Sequence, residues 1–280
     1  MDPVSPAPDD PSPRPGAVAP AGIAPRRAWL RAEGRAWLRA EVLIVLGLSL
    51  GQSAVYSLIS LVQALAAGPL GEQTTALNPT LREDPWVDLL FQLLSILFTL
   101  MPVALVVLLM TLTAGTLAGA LRDLGMDLGR HGRDWVWGMA LTAAIGIPGL
   151  AVYYLGRMLG MTVEVVPAAL DAHWWTVPVL VLHALKNALL EEVIVVGYLA
   201  RRLERLGWSG RRIVLASALL RGAYHTYQGI GPGLANLAMG LVFGEYHRRT
   251  GRTMPLVIAH TLIDVAAFVG YALLREWIST

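Results

Sequence analysis

Two adjacent carboxylates, Glu191 and Glu192, interrupt an otherwise apolar segment with the sequence NALLEEVIVVGYLA. A carboxylate at the centre of a membrane helix costs about 2.5–3.5 kcal/mol on insertion scales. Two in succession therefore need partners or a function. Three explanations fit: a structural ion pair, a proton path, or the general base of an enzyme.

Other polar side chains in the C-terminal half of the chain follow the spacing of a helix face. They are His183, Asn187 and Glu191 in one segment, Arg221 and His225 in the next, and His260 and Asp264 near the end. Residues four apart lie on the same face of a helix. With a rise of about 1.5 Å per residue, the three groups lie at overlapping depths, roughly 10–18 Å in from the Arg-rich ends of their helices. We therefore expect one shared site, although each residue alone is also typical of helix packing.

The composition indicates a polytopic membrane protein. Hydrophobic residues make up 55% of the 280 residues and charged residues only 15%, whereas soluble domains carry about 25% charged residues. The absence of Cys excludes disulfides, Cys-ligated zinc and thiol nucleophiles. Nucleic-acid binding is not expected, because the Arg residues cluster at helix ends and are not interleaved with stacking aromatic residues.

Apolar segments long enough to cross about 30 Å of hydrocarbon predict an all-α fold with seven transmembrane helices. The predicted spans are 42–65, 86–111, 135–157, 174–200, 212–229, 233–247 and 254–274. A tight Gly- and Pro-rich turn at 229–233 separates the fifth span from the sixth. The connection 112–134 is long enough to hold a further interfacial helix.

Basic residues alternate between the connections. The N-terminal flank and the loops 112–134, 201–212 and 248–253 are rich in Arg, whereas 66–85, 158–173 and 229–233 have one Arg or none. By the positive-inside rule, the N-terminus is cytoplasmic and the C-terminus external. We expect an integral protein of a bacterial-type plasma membrane, in contact with the lipid bilayer.

The spans and their flanks divide the chain into five predicted regions. Residues 1–25 hold eight prolines and are expected to be a disordered cytoplasmic tail. Residues 26–41 repeat RAWLRAE and predict an interfacial amphipathic helix. Residues 42–173 then hold three transmembrane helices, 174–274 form a four-helix core with the polar groups, and 275–280 form a short tail.

The polar motifs resemble the CAAX-protease and bacteriocin-processing family of intramembrane proteases, which includes the type II prenyl endopeptidase. That family has a Glu-Glu-x-x-x-Arg helix, then Phe-x-x-x-His, then His-x-x-x-Asn. The resemblance covers about 174–270. This chain departs from the pattern at three positions: Val196 stands for Arg, Arg221 for Phe, and Asp264 for Asn. We hypothesise that the counter-ion has moved to the neighbouring helix, so that Arg221 compensates for Val196.

The resemblance implies hydrolysis of a peptide bond by an activated water molecule within the membrane. Glu191, assisted by His225, would take a proton from the water, and His260 with Asp264 would stabilise the oxyanion. An ionised Asp264 would instead orient His260. The expected substrate is a hydrophobic, lipid-anchored or transmembrane peptide. Asn187, which shares a helix face with Glu191, is expected to support it.

Glu192 has a supporting role in this scheme: it would hold Glu191 or His225 and be balanced by Arg221. Family members are often called metalloproteases, and His225, His260 and a carboxylate could form a zinc site. The HExxH helix is absent, however, and a metal-free glutamate mechanism is also compatible. We expect no tightly bound catalytic metal. If a metal ion does bind, zinc is the candidate.

Two other functions remain open. The departures at Val196 and Asp264 favour a family member that has lost proteolysis and acts as a membrane binding or immunity protein. A proton-coupled transporter would need polar residues through the whole bilayer or a duplicated half. Neither feature is visible in the sequence.

Overall fold

The computed structural model describes the backbone of residues 23–278 and the side chains of residues 34–273, and this part of the chain is almost entirely helical. In chain order the helices are α1 (Ile23–Gly47), α2 (Leu50–Ala67), α3 (Pro85–Thr99), α4 (Met101–Ala114), α5 (Leu117–Asp123), α6 (His131–Met158), α7 (Thr176–Ala188), α8 (Leu199–Arg205), α9 (Gly210–Tyr224), α10 (Ile230–Thr250) and α11 (Met254–Ile278). A π-helical segment, Leu189–Tyr198, joins α7 to α8. The predicted all-α fold is confirmed.

Within the described residues, four helical segments are long and apolar enough to cross a membrane. They are Leu50–Ala67, Pro85–Ala114, Leu128–Met158 and Met254–Leu273. They correspond to the predicted spans 42–65, 86–111, 135–157 and 254–274. The count of seven is not confirmed: the predicted spans 174–200, 212–229 and 233–247 are not among the four. One reason is length, since α9 has only 15 residues.

The N-terminal helices begin and end at positions that differ from the predicted ones. α1 continues without a break through the boundary expected at 41–42 and ends at Gly47, and α2 begins at Leu50. At the break, the hydroxyl of Ser49 donates to the carbonyl of Val45 at 2.6 Å. Residues 1–22 of the predicted disordered tail lie outside the described residues, and 23–25 belong to α1. At the other terminus, α11 extends to Ile278 instead of ending before a tail at 275.

One end of the molecule brings together the three connections that are poor in Arg. Strand β1 (Thr74–Ala76) pairs in parallel with β2 (Glu164–Val166), and Thr162 forms an antiparallel bridge with Gly229. This small sheet was not predicted, because three-residue strands leave too short a period to recognise. The pairing places these loops on one side, as the alternation of basic residues predicts.

The opposite end, which we call the Arg-rich end, brings together the connections 112–134, 201–212 and 248–253. Nε of Arg201 donates to the carbonyl of Asp123 at 2.7 Å, which links α8 to the end of α5. The side chain of Arg252 binds Asp127 and Asp134, which lie before and within α6. Gly125 is required here because its φ is +68° and a Cβ would lie 2.1 Å from a carbonyl oxygen. Which end faces the cytoplasm stays a prediction.

The helices that carry the polar motifs pack closely against one another. α9 packs along α10, and α11 packs against α6 and α7. A Cβ on Gly240 of α10 would lie only 2.8 Å from the Cα of Ala218 on α9, so glycine permits this close approach. Beside the contact, Val196, Phe243 and Leu256 form a buried apolar layer. The polar groups therefore lie among tightly packed apolar side chains.

Candidate active site

The two glutamates lie in the π-helical segment Leu189–Tyr198, where both are buried. A π-helix forms hydrogen bonds to the fifth residue instead of the fourth, so it turns less per residue than an α-helix. Side chains of consecutive residues consequently point in more similar directions. This explains how Glu191 and Glu192 both reach Arg221 on α9. π-Helical turns occur frequently at functional sites.

Arg221, His260 and both glutamates form a buried group, which we call the Arg221 cluster (Glu191, Glu192, Arg221 and His260). Nη2 of Arg221 donates to Oε2 of Glu191 at 3.0 Å and forms a short hydrogen bond with Oε1 of Glu192. The same nitrogen lies 3.1 Å from Nδ1 of His260. All four residues are 8% exposed or less. The three segments that carry the predicted site residues thus meet at one place.

The hydrogen bonds of His260 define the position of one proton. Nδ1 lies 2.8 Å from Oε1 of Glu192, and a carboxylate oxygen can only accept, so Nδ1 carries a proton and donates it. The 3.1 Å approach of Arg221 is then a contact between two donors that share one acceptor. The other ring nitrogen, Nε2, is 3.7 Å from Oδ1 of Asp264, beyond hydrogen-bond distance.

The two glutamates have different surroundings although they are adjacent. The Glu192 side chain is completely buried, whereas that of Glu191 is 11% exposed. The Tyr224 hydroxyl donates to Oε2 of Glu191 at 2.8 Å, the same oxygen that accepts from Arg221. Both of its described hydrogen bonds therefore use Oε2. Of the two glutamates, Glu191 is therefore the one whose side chain a small molecule such as water can reach.

His225 directly follows the last residue of α9, Tyr224, rather than lying in the middle of a helix as the predicted span 212–229 implied. Its Nδ1 lies 3.0 Å from the carbonyl oxygen of Arg221. Because a carbonyl only accepts, Nδ1 is protonated and Nε2 of a neutral His225 carries the lone pair. The ring is half-buried and packs 4.7 Å from the ring of Tyr224. The turn that follows occupies 225–229, earlier than the predicted 229–233, and Pro232 falls in the first turn of α10.

Asp264 and Asn187 lie beside the cluster. Nδ2 of Asn187 donates to Oδ2 of Asp264 at 3.1 Å, which joins α7 to α11. Asp264 therefore accepts from Asn187 through one oxygen and faces Nε2 of His260 with the other. The side chain is 18% exposed.

The predicted polar stripe on α7 divides between two sites. His183, one turn before Asn187, does not join the Arg221 cluster, because its Nε2 lies 2.9 Å from Oε1 of Gln92 on α3. Nζ of Lys186, the single lysine of the sequence, lies 3.2 Å from the other ring nitrogen of His183. His183 thus connects α7 to α3.

A buried group in the cluster could hold a metal ion. The carboxylates of Glu191 and Glu192 and a ring nitrogen of His260 offer three ligand atoms within 4.8 Å of one another. The group differs from the set expected from the sequence, because it contains both glutamates and not His225. The nitrogen Nη2 of Arg221 contacts all three side chains. The group therefore suits a metal ion only if that guanidinium is displaced.

Two polar partners of the predicted site residues were missed in the sequence, one at the Arg221 cluster and one at His183. Tyr224 binds Glu191, and Gln92 binds His183. The position of Tyr224, directly before His225 in a polar part of an apolar helix, was a usable signal. Gln92 gave none, because it lies about 90 residues from His183 and nothing in its local pattern identifies that partner.

Comparison with protein families gives a match to one model. Residues 173–266 match the family described as Rce1-like, type II CAAX prenyl endopeptidase Rce1-like. The matched segment is about a third of the chain and contains the whole Arg221 cluster, together with Asn187, His225 and Asp264. No curated protein and no solved structure matches the chain. The predicted family resemblance is confirmed for this segment.

Proposed function

We propose that the chain is an intramembrane endopeptidase that uses Glu191 to activate water, since residues 173–266 match the Rce1-like CAAX prenyl endopeptidase family. The main support is the unequal environment of the adjacent glutamates. One carboxylate is fully buried and the other retains exposure. A general base must reach its proton directly or through one water molecule, and Glu191 meets that requirement.

In the first step, Glu191 takes a proton from a water molecule, and the resulting hydroxide attacks the carbonyl carbon of the scissile peptide bond. The Tyr224 hydroxyl and Arg221 hold one oxygen of Glu191 in place. Nε2 of His225, whose other nitrogen is fixed by the Arg221 carbonyl, is available to accept a hydrogen bond from the same water. In this proposal the water donates one hydrogen bond to Glu191 and the other to His225.

In the second step, the carbonyl oxygen becomes an oxyanion and needs a positively charged donor. We assign this role to Nε2 of His260. With Nδ1 donating to Glu192, protonation of Nε2 gives an imidazolium, and the nearby Asp264 carboxylate stabilises it. The tetrahedral intermediate then breaks at its C–N bond, and the proton held by Glu191 passes to the leaving amine. The products are a carboxylate and an amine, which balances the water consumed.

Glu192 and Arg221 act through other residues in this scheme and are positioning residues. Glu192 fixes the ring of His260 by accepting from Nδ1. Arg221 offsets part of the negative charge of the two glutamates, the function that we assigned to Arg at position 196 in the family pattern. Asn187 holds Asp264 through a 3.1 Å hydrogen bond.

The substrate class follows from the surroundings of the site. Four described helices are long and apolar enough to span a bilayer, and the cluster lies among buried apolar side chains. We propose a hydrophobic, lipid-anchored or transmembrane peptide as the substrate. The membrane is a bacterial-type plasma membrane, with the N-terminus cytoplasmic and the C-terminus external.

A second function is favoured by one contact. Arg221 binds Glu191 as well as Glu192, and a guanidinium that neutralises the base would suppress hydrolysis. On this alternative, the chain binds a membrane peptide without cleaving it.

One experiment separates the two functions. The protein and its Glu191→Gln variant are reconstituted and incubated with a library of lipid-anchored and transmembrane peptides, and cleavage products are identified by mass spectrometry. We expect cleavage by the wild type and a loss of about 100- to 10,000-fold in the variant, the contribution of a general base. Asp134→Asn, an isosteric change at the Arg-rich end, is the matched control and retains cleavage. Peptide binding without cleavage by the wild type would favour the second function, and equal cleavage by wild type and Glu191→Gln would exclude the proposed base.

A further inference from the structure

We propose that the guanidinium of Arg221 occupies a latent divalent-metal site, and that its removal turns the cluster into a zinc site. The latent site is defined by Glu191, Glu192 and His260, whose ligand atoms lie within 4.8 Å of one another. Nη2 of Arg221 lies at the centre of the group, in contact with each of the three side chains. One protein nitrogen thus takes the position of a metal ion.

The donor set has the chemistry of a catalytic zinc site. Carboxylate oxygen and imidazole nitrogen are both zinc ligands, and catalytic zinc commonly has three protein ligands with a fourth, open position. Both glutamates and the histidine are 8% exposed or less. Ligands that are already gathered and held by packing do not have to be ordered when the ion binds.

The charges also favour a divalent cation over the guanidinium. Two carboxylates carry two negative charges, and Arg221 offsets only one of them. A divalent ion offsets both and leaves the site neutral, provided that His260 is neutral. Burying an uncompensated charge is costly, so a vacated site would bind such an ion readily.

The guanidinium is incompletely engaged where it lies. Arg221 is 1% exposed, yet its Nε is a buried nitrogen without a hydrogen-bond partner among the described residues. Both of the nitrogens that do bind are at the tip of the side chain. The cluster therefore matches a single point cation better than it matches the five-donor fork of an arginine.

Arg202 provides a matched comparison elsewhere in the chain. It is also fully buried and also pairs with a glutamate, Glu41, at 2.8 Å. Its other described partners are a threonine hydroxyl and a backbone carbonyl. With one carboxylate and no histidine among the described residues that contact it, that position does not offer a metal site. Loss of Arg202 should create an unpaired glutamate and nothing more.

The test measures metal content and needs no substrate, so it is independent of the proposed function. Wild type, Arg221→Ala, Arg221→Ala/His260→Ala and Arg202→Ala are purified in detergent, incubated with zinc chloride and dialysed against metal-free buffer. We expect about one zinc ion per chain in Arg221→Ala, and essentially none in the other three. Cobalt substitution should give Arg221→Ala alone the visible absorption of a low-coordinate cobalt site.

Two results would overturn the inference. One is stoichiometric zinc in the wild type, because Arg221 would then not exclude the ion. The other is a folded Arg221→Ala protein that retains no more zinc than Arg202→Ala. If Arg221→Ala is monodisperse only with zinc, the inference is supported. If it aggregates with and without zinc while Arg221→Lys stays folded, the inference fails, since a bound ion should have replaced the lost charge.

Discussion

The Arg221 cluster and the Arg252 group at the Arg-rich end (Arg252, Asp127 and Asp134) each hold one arginine between two carboxylates, but the two arginines are used differently. Arg252 donates through Nε, Nη1 and Nη2, and its partners include the side chains of Asp127 and Asp134 and a backbone carbonyl. Arg221 donates through its two terminal nitrogens and leaves Nε without a partner among the described residues. His260 has no counterpart in the Arg252 group.

This difference in hydrogen bonding suits two different roles: the Arg252 group links helices, and the Arg221 cluster is the candidate active site. Arg252 uses its whole fork to connect the loop between α10 and α11 to α6, and the Asp127 side chain is 30% exposed. At the Arg221 cluster, by contrast, the excess negative charge is enclosed and shared with a titratable ring. Buried polar groups that are not fully paired are costly, and such costs are typical of functional positions.

Removal of each arginine should give the largest difference between the two groups. Arg221→Met should lower the free energy of unfolding by about 3–5 kcal/mol, the usual cost of leaving a buried charge unpaired. Arg252→Met should cost less, because only one of the two carboxylates that it leaves without a partner, Asp134, is buried, and water can reach the other, Asp127. Unfolding is followed in detergent by SDS titration, with EDTA present so that no metal replaces the guanidinium.

An equal loss of stability in both variants would contradict the distinction between them. Arg202→Met is the useful reference, because Arg202 is equally buried but faces one glutamate that is 24% exposed. We expect its effect to lie nearer to that of Arg252→Met.

The hypothesis that Arg221 compensates for Val196 can be tested by placing an arginine at position 196 and removing the one at position 221. Val196 is about one helical turn beyond Glu192 and lines a small cleft together with Ser217, Gly244 and His247. We expect Val196→Arg to restore part of the stability and activity lost in Arg221→Phe. Hydrolysis should rise at least about 10-fold above that of the Arg221→Phe single variant, equivalent to about 1.4 kcal/mol.

The control for this rescue is Val195→Arg, one position earlier. Val195 packs against Leu50, Ala54 and Tyr224 instead of bordering the cleft, so an arginine there should rescue nothing. Rescue by both substitutions would mean that any added cation suffices and that position 196 has no special geometry.

Removing a tyrosine hydroxyl that binds a glutamate should have a smaller effect than removing an arginine. Tyr224→Phe removes a 2.8 Å hydrogen bond to the buried Glu191, and a bond to a charged group contributes about 1.5–3 kcal/mol. Tyr198→Phe removes a similar bond, to Glu41, but that glutamate is partly exposed and water can replace the hydroxyl. We expect Tyr224→Phe to lower both stability and peptide hydrolysis, and Tyr198→Phe to leave hydrolysis unchanged. Equal hydrolysis by the two variants would remove Tyr224 from the site.

Much of the candidate site could be predicted because its residues are unusual where they occur. Glu191, Arg221 and His260 are costly in apolar helices, so their types and spacing alone pointed to a shared site. The all-α fold followed from the apolar runs for the same reason. These features are properties of single segments, which a sequence displays directly.

The remaining features depend on neighbours that a sequence does not identify. The π-helical segment, the partner of His183 on α3 and the end of α9 at Tyr224 are all set by packing between distant helices. The three predicted spans that are not among the four apolar helices have a related explanation. Short helices such as α9 remain stable because they pack against α10 and the π-helical segment. A hydropathy plot of one segment does not show this packing.

The smallest expected effect concerns pH and the Arg252 group. Burial alone raises the pKa of the Asp127 carboxyl, but a hydrogen bond from the Gly129 amide and the adjacent Arg252 outweigh it and hold the pKa below its ordinary value of 3.8. A carboxyl with a lowered pKa adds stability that is fully present above the unfolded value and is lost as the pH falls through the folded one. The ion pair should therefore contribute equally at pH 8 and pH 5 and weaken below about pH 4. We expect the melting temperatures of wild type and Asp127→Asn to differ by a constant, small amount down to pH 5 and to converge at lower pH. A difference that already narrows between pH 8 and pH 5 would mean that another group, not Asp127, titrates in the pair.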